Sequence, residues 1–255
     1  MTLQGIRGPS MQPVQLIAAH ELVLGEIRTA LALGRFRAGD SLPRERDLAD
    51  MLRVSRAVVR EAVAVLASEG VLEVRRGRTG GLFVIDRFDN EKGRRALLRE
   101  NRERLHQVFE FRLVIESAGA RYAAERRTRQ ELDELGDLVT RMQGLVDQLV
   151  DAHDSAKVAE FFALDHDFHL GIAQASRNER LAKATLEARV DMFKPVGTVF
   201  DHLEPNANHL HEQIFRAIAE TDGDQAAHWM TEHITGTRDS VDAWLGPNPR
   251  SKRRR

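Results

Sequence analysis

The chain has 255 residues, enough for one large domain or two modest ones whose cores need no covalent staples. With 42% hydrophobic and 30% charged residues, only seven prolines and no cysteine, it cannot be disordered or collagen-like. It also lacks any disulfide framework, thiol nucleophile, thiolate zinc site or iron–sulfur ligation. The net charge of −1 is unevenly spread: residues 1–85 carry 12 Lys/Arg against 9 Asp/Glu, residues 86–249 carry 21 against 30, and residues 250–255 add five cations.

A basic end ahead of an acidic body suggests that the first part meets a polyanion. No apolar run approaches the roughly 18 residues of a membrane span, and the first 15 residues lack the basic, apolar, small-residue order of a secretory signal. A cytoplasmic protein without a membrane partner is expected.

Residues 1–15 mix Gly, Pro, Ser and Gln without period and read as a loose arm. From Leu16 to Leu33 apolar residues recur at Ile17, Leu24, Ile27 and Leu31, the spacing of one helix face, and Gly34 ends the run. The stretch Gly34–Pro43 reads as a tight connection. A second helix follows Pro43, with Leu48, Ala49 and Leu52 facing inward. A third opens on the cap Ser55, with Val58, Val59, Ala62, Val63 and Leu66 as its apolar face and Gly70 as its stop. Val71–Val74 and Leu82–Ile85 read as two strands around a turn rich in Arg and Gly. Beyond Asp86 only helical periods appear, over roughly 93–127, 129–152, 154–175, 178–200, 206–221 and 223–245. The expected fold is therefore mostly α: an arm over 1–15, a winged helix-turn-helix unit over 16–86, a linker over 87–96, an all-α helical bundle over 97–246 and a basic tail over 247–255.

Helix, turn, helix and cationic hairpin suit duplex DNA, because a helix fits the major groove while cations meet the flanking phosphates. Arg46 lies near the start of the second helix, and Ser55, Arg56 and Arg60 crowd the first turns of the third. Arg56 and Arg60, at i and i+4, share a face away from the core stripe. At the hairpin tip Arg75, Arg76 and Arg78 stand among Gly77, Gly80 and Gly81, whose missing side chains allow close approach. Taken singly, each arginine reads more readily as a solvated surface residue; taken together they shift the reading toward DNA.

In this region Gly39-Asp40-Ser41-Leu42-Pro43, Glu45-Arg46-Asp47-Leu48-Ala49, Val54-Ser55-Arg56, Val59-Arg60-Glu61-Ala62 and Leu66-Ala67-Ser68-Glu69-Gly70 stand in an order and spacing that resembles the GntR superfamily of bacterial winged-helix regulators. The resemblance spans about residues 20–85. It implies that Arg46, Arg56 and Arg60 contact DNA, with Ser55 on a phosphate and Arg76 and Gly77 at the wing tip. It further implies a homodimer on a palindromic double-stranded operator, acting more readily as a repressor than as an activator.

Eight of the ten histidines fall after residue 150. In the expected helix over 154–175, Phe161, Asp165, Phe168 and Ile172 form one stripe with Phe162, His169 and Ala173 beside it, so Asp165 and His169 project toward the apolar side. His211 heads the stripe His211, Ile214, Phe215 and Ile218; His233 sits within Trp229, Met230, His233, Ile234 and Thr237. A buried carboxylate needs a partner, and three neutral imidazoles around it suit a divalent transition metal, zinc or nickel foremost. A hydrogen-bonded polar core is the alternative for each histidine. His166, His202 and His209 are nearby but off the pattern. Arg112 interrupts the stripe Leu105, Val108, Phe109, Arg112, Ile115 and Gly119; it either pairs with Glu116 one turn on or, with the metal, holds a small carboxylate.

The bundle resembles the FadR-type effector domain of GntR regulators, over most of residues 97–240. The resemblance implies Asp165, His169, His211 and His233 as metal ligands and a small carboxylate effector. Phe168, Asn178 and Arg112-x-x-x-Glu116 fit the same pattern. A metal-dependent hydrolase with an accessory winged domain is the rival function, and a purely structural metal a third possibility. No nucleophile–base arrangement, HExxH or phosphate loop supports the rival.

Overall fold

The computed structural model describes residues 18–32, 34–36, 39–77, 80–85, 91–149, 154–193 and 207–246. The arm over 1–15, the tail over 247–255, Arg78 at the hairpin tip and His202 lie outside them.

The first unit is built on α1 (Ala19–Ala32), α2 (Glu45–Leu52) and α3 (Arg56–Ser68). Helix α3 starts where Ser55, in extended conformation, accepts from the backbone N–H of Val58 at 3.3 Å, satisfying one of the first-turn donors. Val59, Ala62, Val63 and Leu66 are buried against Val23, Leu24 and Ile27 of α1 and Leu48 and Ala49 of α2. The hairpin strands are β2 (Leu72–Arg75) and β3 (Gly81–Val84), paired antiparallel with Glu73 opposite Phe83. A third strand, β1 (Ser41–Leu42), pairs with β3 inside the stretch expected to be a plain connection, giving sheet order β1-β3-β2. Two residues are too few to show alternation, so the pairing comes from the sheet edge that β3 offers.

The second unit is all helix: α4 (Glu91–Glu100), α5 (Arg102–Arg126), α6 (Arg129–Leu149), α7 (Ser155–Ala175), α8 (Glu179–Phe193), α9 (His209–Ala219) and α10 (Gly223–Leu245). Helix α4 occupies the second half of the segment 87–96 between the two expected units. The helical period over 93–127 is broken once, at Asn101, whose ψ of 10° turns α5 away from α4. Asp154 caps α7 by accepting from the N–H groups of Ala156 and Lys157, and Asp222 caps α10 by accepting from that of Gln225. Helix α5 is the central post, packed by α7, α8, α9 and α10, with α6 closing over α7 and α9. Phe109, Phe168, Ile172, Ile214, Ile218, Met230 and Ile234 form the middle of its core. Among the described residues no helix is long and apolar enough to cross a membrane.

Candidate metal centre and nucleic-acid interface

Four side chains from three helices converge at the heart of the bundle. Asp165 and His169, one turn apart on α7, meet His211 from the first turn of α9 and His233 from the middle of α10. One donor atom from each lies within 4.8 Å of the other three. Asp165 Oδ1 is 3.0 Å from His211 Nε2, 3.5 Å from His169 Nε2 and 4.0 Å from His233 Nε2, while the His169 and His233 Nε2 atoms are 3.1 Å apart. Ligand bonds of about 2.0–2.2 Å around one ion place neighbouring donors roughly 3.0–3.6 Å apart; three of these separations fall in that range, and the longer ones, up to 4.8 Å, would close with a small inward shift around a single cation.

Protonation supports the fit. Glu116 Oε2, which can only accept, lies 2.5 Å from His169 Nδ1; the alignment falls short of a hydrogen bond, yet a carboxylate at that range requires the proton on Nδ1. The Nε2 of His169 stands against the Nε2 of His233. Burial pushes the pKa of His233 well below its ordinary value, reinforced by the nearby His211 and His169. It also lowers that of His211, against the pull of the Asp165 hydrogen bond. Three imidazole nitrogens converging with one hard carboxylate oxygen match the donor set of a divalent transition metal, which on binding would take the place of the protons that now bridge them.

Around this set lies a closed ring of buried charge. Burial alone would raise the Asp165 carboxyl, but the Arg189 guanidinium, with the hydrogen bond from His211, outweighs it and holds the pKa well below the carboxylate range. Arg189 reaches from α8, donating through Nη2 to Asp165 Oδ2 and through Nε to His166 Nδ1 at 3.0 Å. Arg112 donates through Nε to Glu116 Oε1 at 2.5 Å, the intrahelical pairing that was one of its two expected roles. Glu116 is likewise held far below its ordinary pKa: burial would raise it, and Arg112, His169 and Arg189 more than offset that. Two arginines thus balance two carboxylates among groups that are all nearly inaccessible.

His166 is buried but bonded to Arg189, and His209 is exposed, so neither joins the donor set. Sequence reasoning missed Arg189. Its signal was present: Thr185, Ala188, Arg189 and Met192 are buried at helical spacing, a cation within an apolar stripe as at Arg112.

In the first unit, Arg46, Ser55, Arg56, Arg60, Arg76 and Gly77 are all exposed. Arg60 Nε stands 3.5 Å from Glu45 Oε2, which links the start of α2 to the outer face of α3. Arg75 is bound elsewhere: its guanidinium donates to Glu73 and lies 4.2 Å from the centre of the Phe83 ring. The hairpin tip depends on glycine. Gly77 has φ +103°, and a Cβ on Gly80 would stand 2.3 Å from the carbonyl oxygen of Arg75.

Residues 20–84 match the bacterial regulatory proteins of the gntR family, and residues 107–236 match the FCD domain. The chain is similar to the HTH-type transcriptional regulator LutR of Bacillus subtilis (strain 168), at 28% identity over 227 residues, 84% of this chain and 97% of that protein. It is also similar to the Glc operon transcriptional activator of Escherichia coli (strain K12), at 26% identity over 221 residues, 84% and 85% of the two chains. The solved structure of E. coli McbR/YncC shares the fold, with a TM-score of 0.54 at 18% identity over 89% of this chain and 98% of that one.

Proposed function

The chain belongs to the gntR family of bacterial regulatory proteins, with an FCD domain behind its winged helix, and on that premise we propose that it is an operator-binding regulator switched through a metal-anchored effector site in the bundle. That it regulates transcription rather than catalysing a reaction follows from the family. The observation that carries the finer reading is the convergence of Asp165 Oδ1 with three imidazole Nε2 atoms in a buried site.

Asp165, His169, His211 and His233 are the proposed ligands of a divalent ion, zinc or nickel by donor chemistry. When bound, such an ion supplies a Lewis-acidic position able to take a carboxylate oxygen. Glu116 orients His169, and Arg189 orients Asp165 while neutralising the oxygen turned away from the histidines. The surrounding arginines and carboxylates already cancel, so a divalent ion leaves the buried site with excess positive charge. A small carboxylate effector answers that excess. Arg112 is its proposed partner, alongside Arg189, whose Nη1 is buried with no hydrogen-bond partner among the described residues.

On the DNA side, α3 enters the major groove through Arg56 and Arg60, with Arg46 on the flank of α2, Ser55 on a phosphate, and Arg76 and Gly77 at the neighbouring groove. Residues 16–86 form the reading unit, and 97–246 the effector and dimerisation unit. A homodimer would set two α3 helices on a palindromic operator about one helical turn apart. The regulator is proposed to repress, with the effector releasing it. One similar protein is named an activator, so a reporter fused to the regulated promoter decides the sign. The reading is tested by recovering a duplex from a random-sequence library with the full chain, then titrating it with and without Zn²⁺ and a panel of small carboxylates. Sequence-specific binding altered by a carboxylate only when zinc is present supports it; binding indifferent to both refutes the effector site.

A further inference from the structure

The turn that ends α1 is fastened to the bundle on the helix that carries the proposed ligands. Gly34, at φ +67°, lets the chain double back, so that its α-carbon approaches α7; a Cβ there would lie 3.4 Å from Cβ of Ala163 and 3.7 Å from the carbonyl oxygen of Ala159. The next residue, Arg35, grips both oxygens of Asp167 with its two Nη atoms, one at 3.0 Å, across 132 positions of sequence. Phe36 returns to the winged-helix core. The Arg35 backbone N–H donates to the carbonyl of Ala30 at 2.9 Å, so the turn moves with α1.

Ala159, Ala163 and Asp167 recur every fourth residue and line one side of α7. Asp165 and His169 each lie two positions from Asp167, about 200° around a helix of 3.6 residues per turn, and so occupy the opposite side. Helix α7 is therefore a rod with the winged helix on one flank and the metal site on the other. Helix α1 also touches α8, whose Arg189 is bound to Asp165. On the far side α1 packs along α3, and Arg28 of α1 holds Glu69 at the end of α3 through two bonds of 2.7 and 2.9 Å. A continuous packed path thus runs from Asp165 through α7, the turn and α1 to the helix bearing Arg56 and Arg60.

We propose that residues Gly34–Phe36 form a clasp through which occupancy of the α7 site sets the orientation of the winged helix, with Arg35 and Asp167 as positioning residues that carry the zinc-induced change in operator affinity. The proposal rests on the reading of Asp165 and His169 as metal ligands. The clasp has the features coupling requires: one element contacts both sites, and the link is a half-exposed ion pair that can break without unfolding either unit. Because Asp167 is already held by Arg35, a rotation of α7 that tightens the ligands would be passed to the turn through this pair.

The test uses the full chain, the duplex recovered from a random-sequence library and Zn²⁺ alone. Zinc binding is read by calorimetry, operator affinity by titration with and without zinc, and amide exchange over α1 and residues 34–36 by mass spectrometry. In the wild type, zinc should slow exchange at 34–36 and shift operator affinity. Arg35→Ala should keep its zinc affinity and its zinc-free operator affinity, while the zinc-induced shift shrinks by up to about fivefold, the worth of roughly 1 kcal/mol. The charge-swapped pair Arg35→Asp with Asp167→Arg should restore part of it. An unchanged zinc-induced shift in Arg35→Ala overturns the clasp, as does a wild type that binds zinc without any response in exchange or operator affinity. A wild type that does not bind zinc at all overturns the ligand assignment, and the clasp with it.

Discussion

His169 and His233, carried by different helices and 64 positions apart, face each other through their Nε2 atoms at 3.1 Å inside the bundle. At that distance either one Nε2–H donates to the other Nε2, or both nitrogens face a shared cation. Adding Zn²⁺ at about 100 times its dissociation constant should stabilise the chain by about 2.7 kcal/mol. For a protein of this size that corresponds to a rise in Tm of about 5–10 °C. A chelator should reverse it, and an unchanged Tm would oppose a metal at these residues.

Glu116→Gln keeps the shape of the side chain but removes the charge that faces Arg112, His169 and Arg189. Zinc affinity should fall roughly 10–100-fold, as for the loss of a carboxylate that orients a ligating histidine. The buried arginines lose their counter-charge, so stability should also fall by about 3–5 kcal/mol. Urea unfolding and zinc titration of the variant measure the two effects separately. Wild-type values in both would remove Glu116 from the site.

Burial of His166 keeps it well below the ordinary histidine value of 6.5, and the same cause lowers His211 and, more strongly, His233. The folded chain therefore resists protons that the unfolded chain accepts, so their contribution is complete above about 6.5 and is lost as pH falls below it. Chelator-treated protein should lose Tm steadily from pH 7 to pH 5, with a shallower fall in His233→Ala. A flat profile over that interval would show that these histidines titrate normally.

Arg56→Ala and Arg60→Ala remove exposed side chains from α3. Each should weaken specific duplex binding by about 1–3 kcal/mol while leaving Tm unchanged. Gly80→Ala acts differently, because its Cβ would lie 2.3 Å from the carbonyl oxygen of Arg75 and the hairpin tip must shift. It should weaken binding to all duplexes alike. Gel shifts on matched and scrambled duplexes separate the two patterns.

The placement of the site was largely legible because its elements are local. Asp165 and His169 stand one turn apart within an apolar stripe, and His211 and His233 each interrupt their own, so the helical period alone aims all four inward. The winged unit was legible through Ser55 and the apolar face of α3. What escaped was set by tertiary structure. Strand β1 exists because β3 offers an edge to Ser41 and Leu42. The break at Asn101 interrupts a period that continues on both sides. Arg189 was marked by its place among Thr185, Ala188 and Met192, but its partner Asp165 was set by how α8 lies against α7, and no local pattern joins Arg35 to Asp167.

Metal content per chain, measured by elemental mass spectrometry on untagged protein purified without chelator, tests the metal centre most directly. About one divalent transition-metal ion per wild-type chain, and its loss in both His211→Ala and His233→Ala, is the predicted result. Wild-type protein without such an ion, or variants that retain it at the wild-type level, would make Asp165, His169, His211 and His233 a polar core network instead.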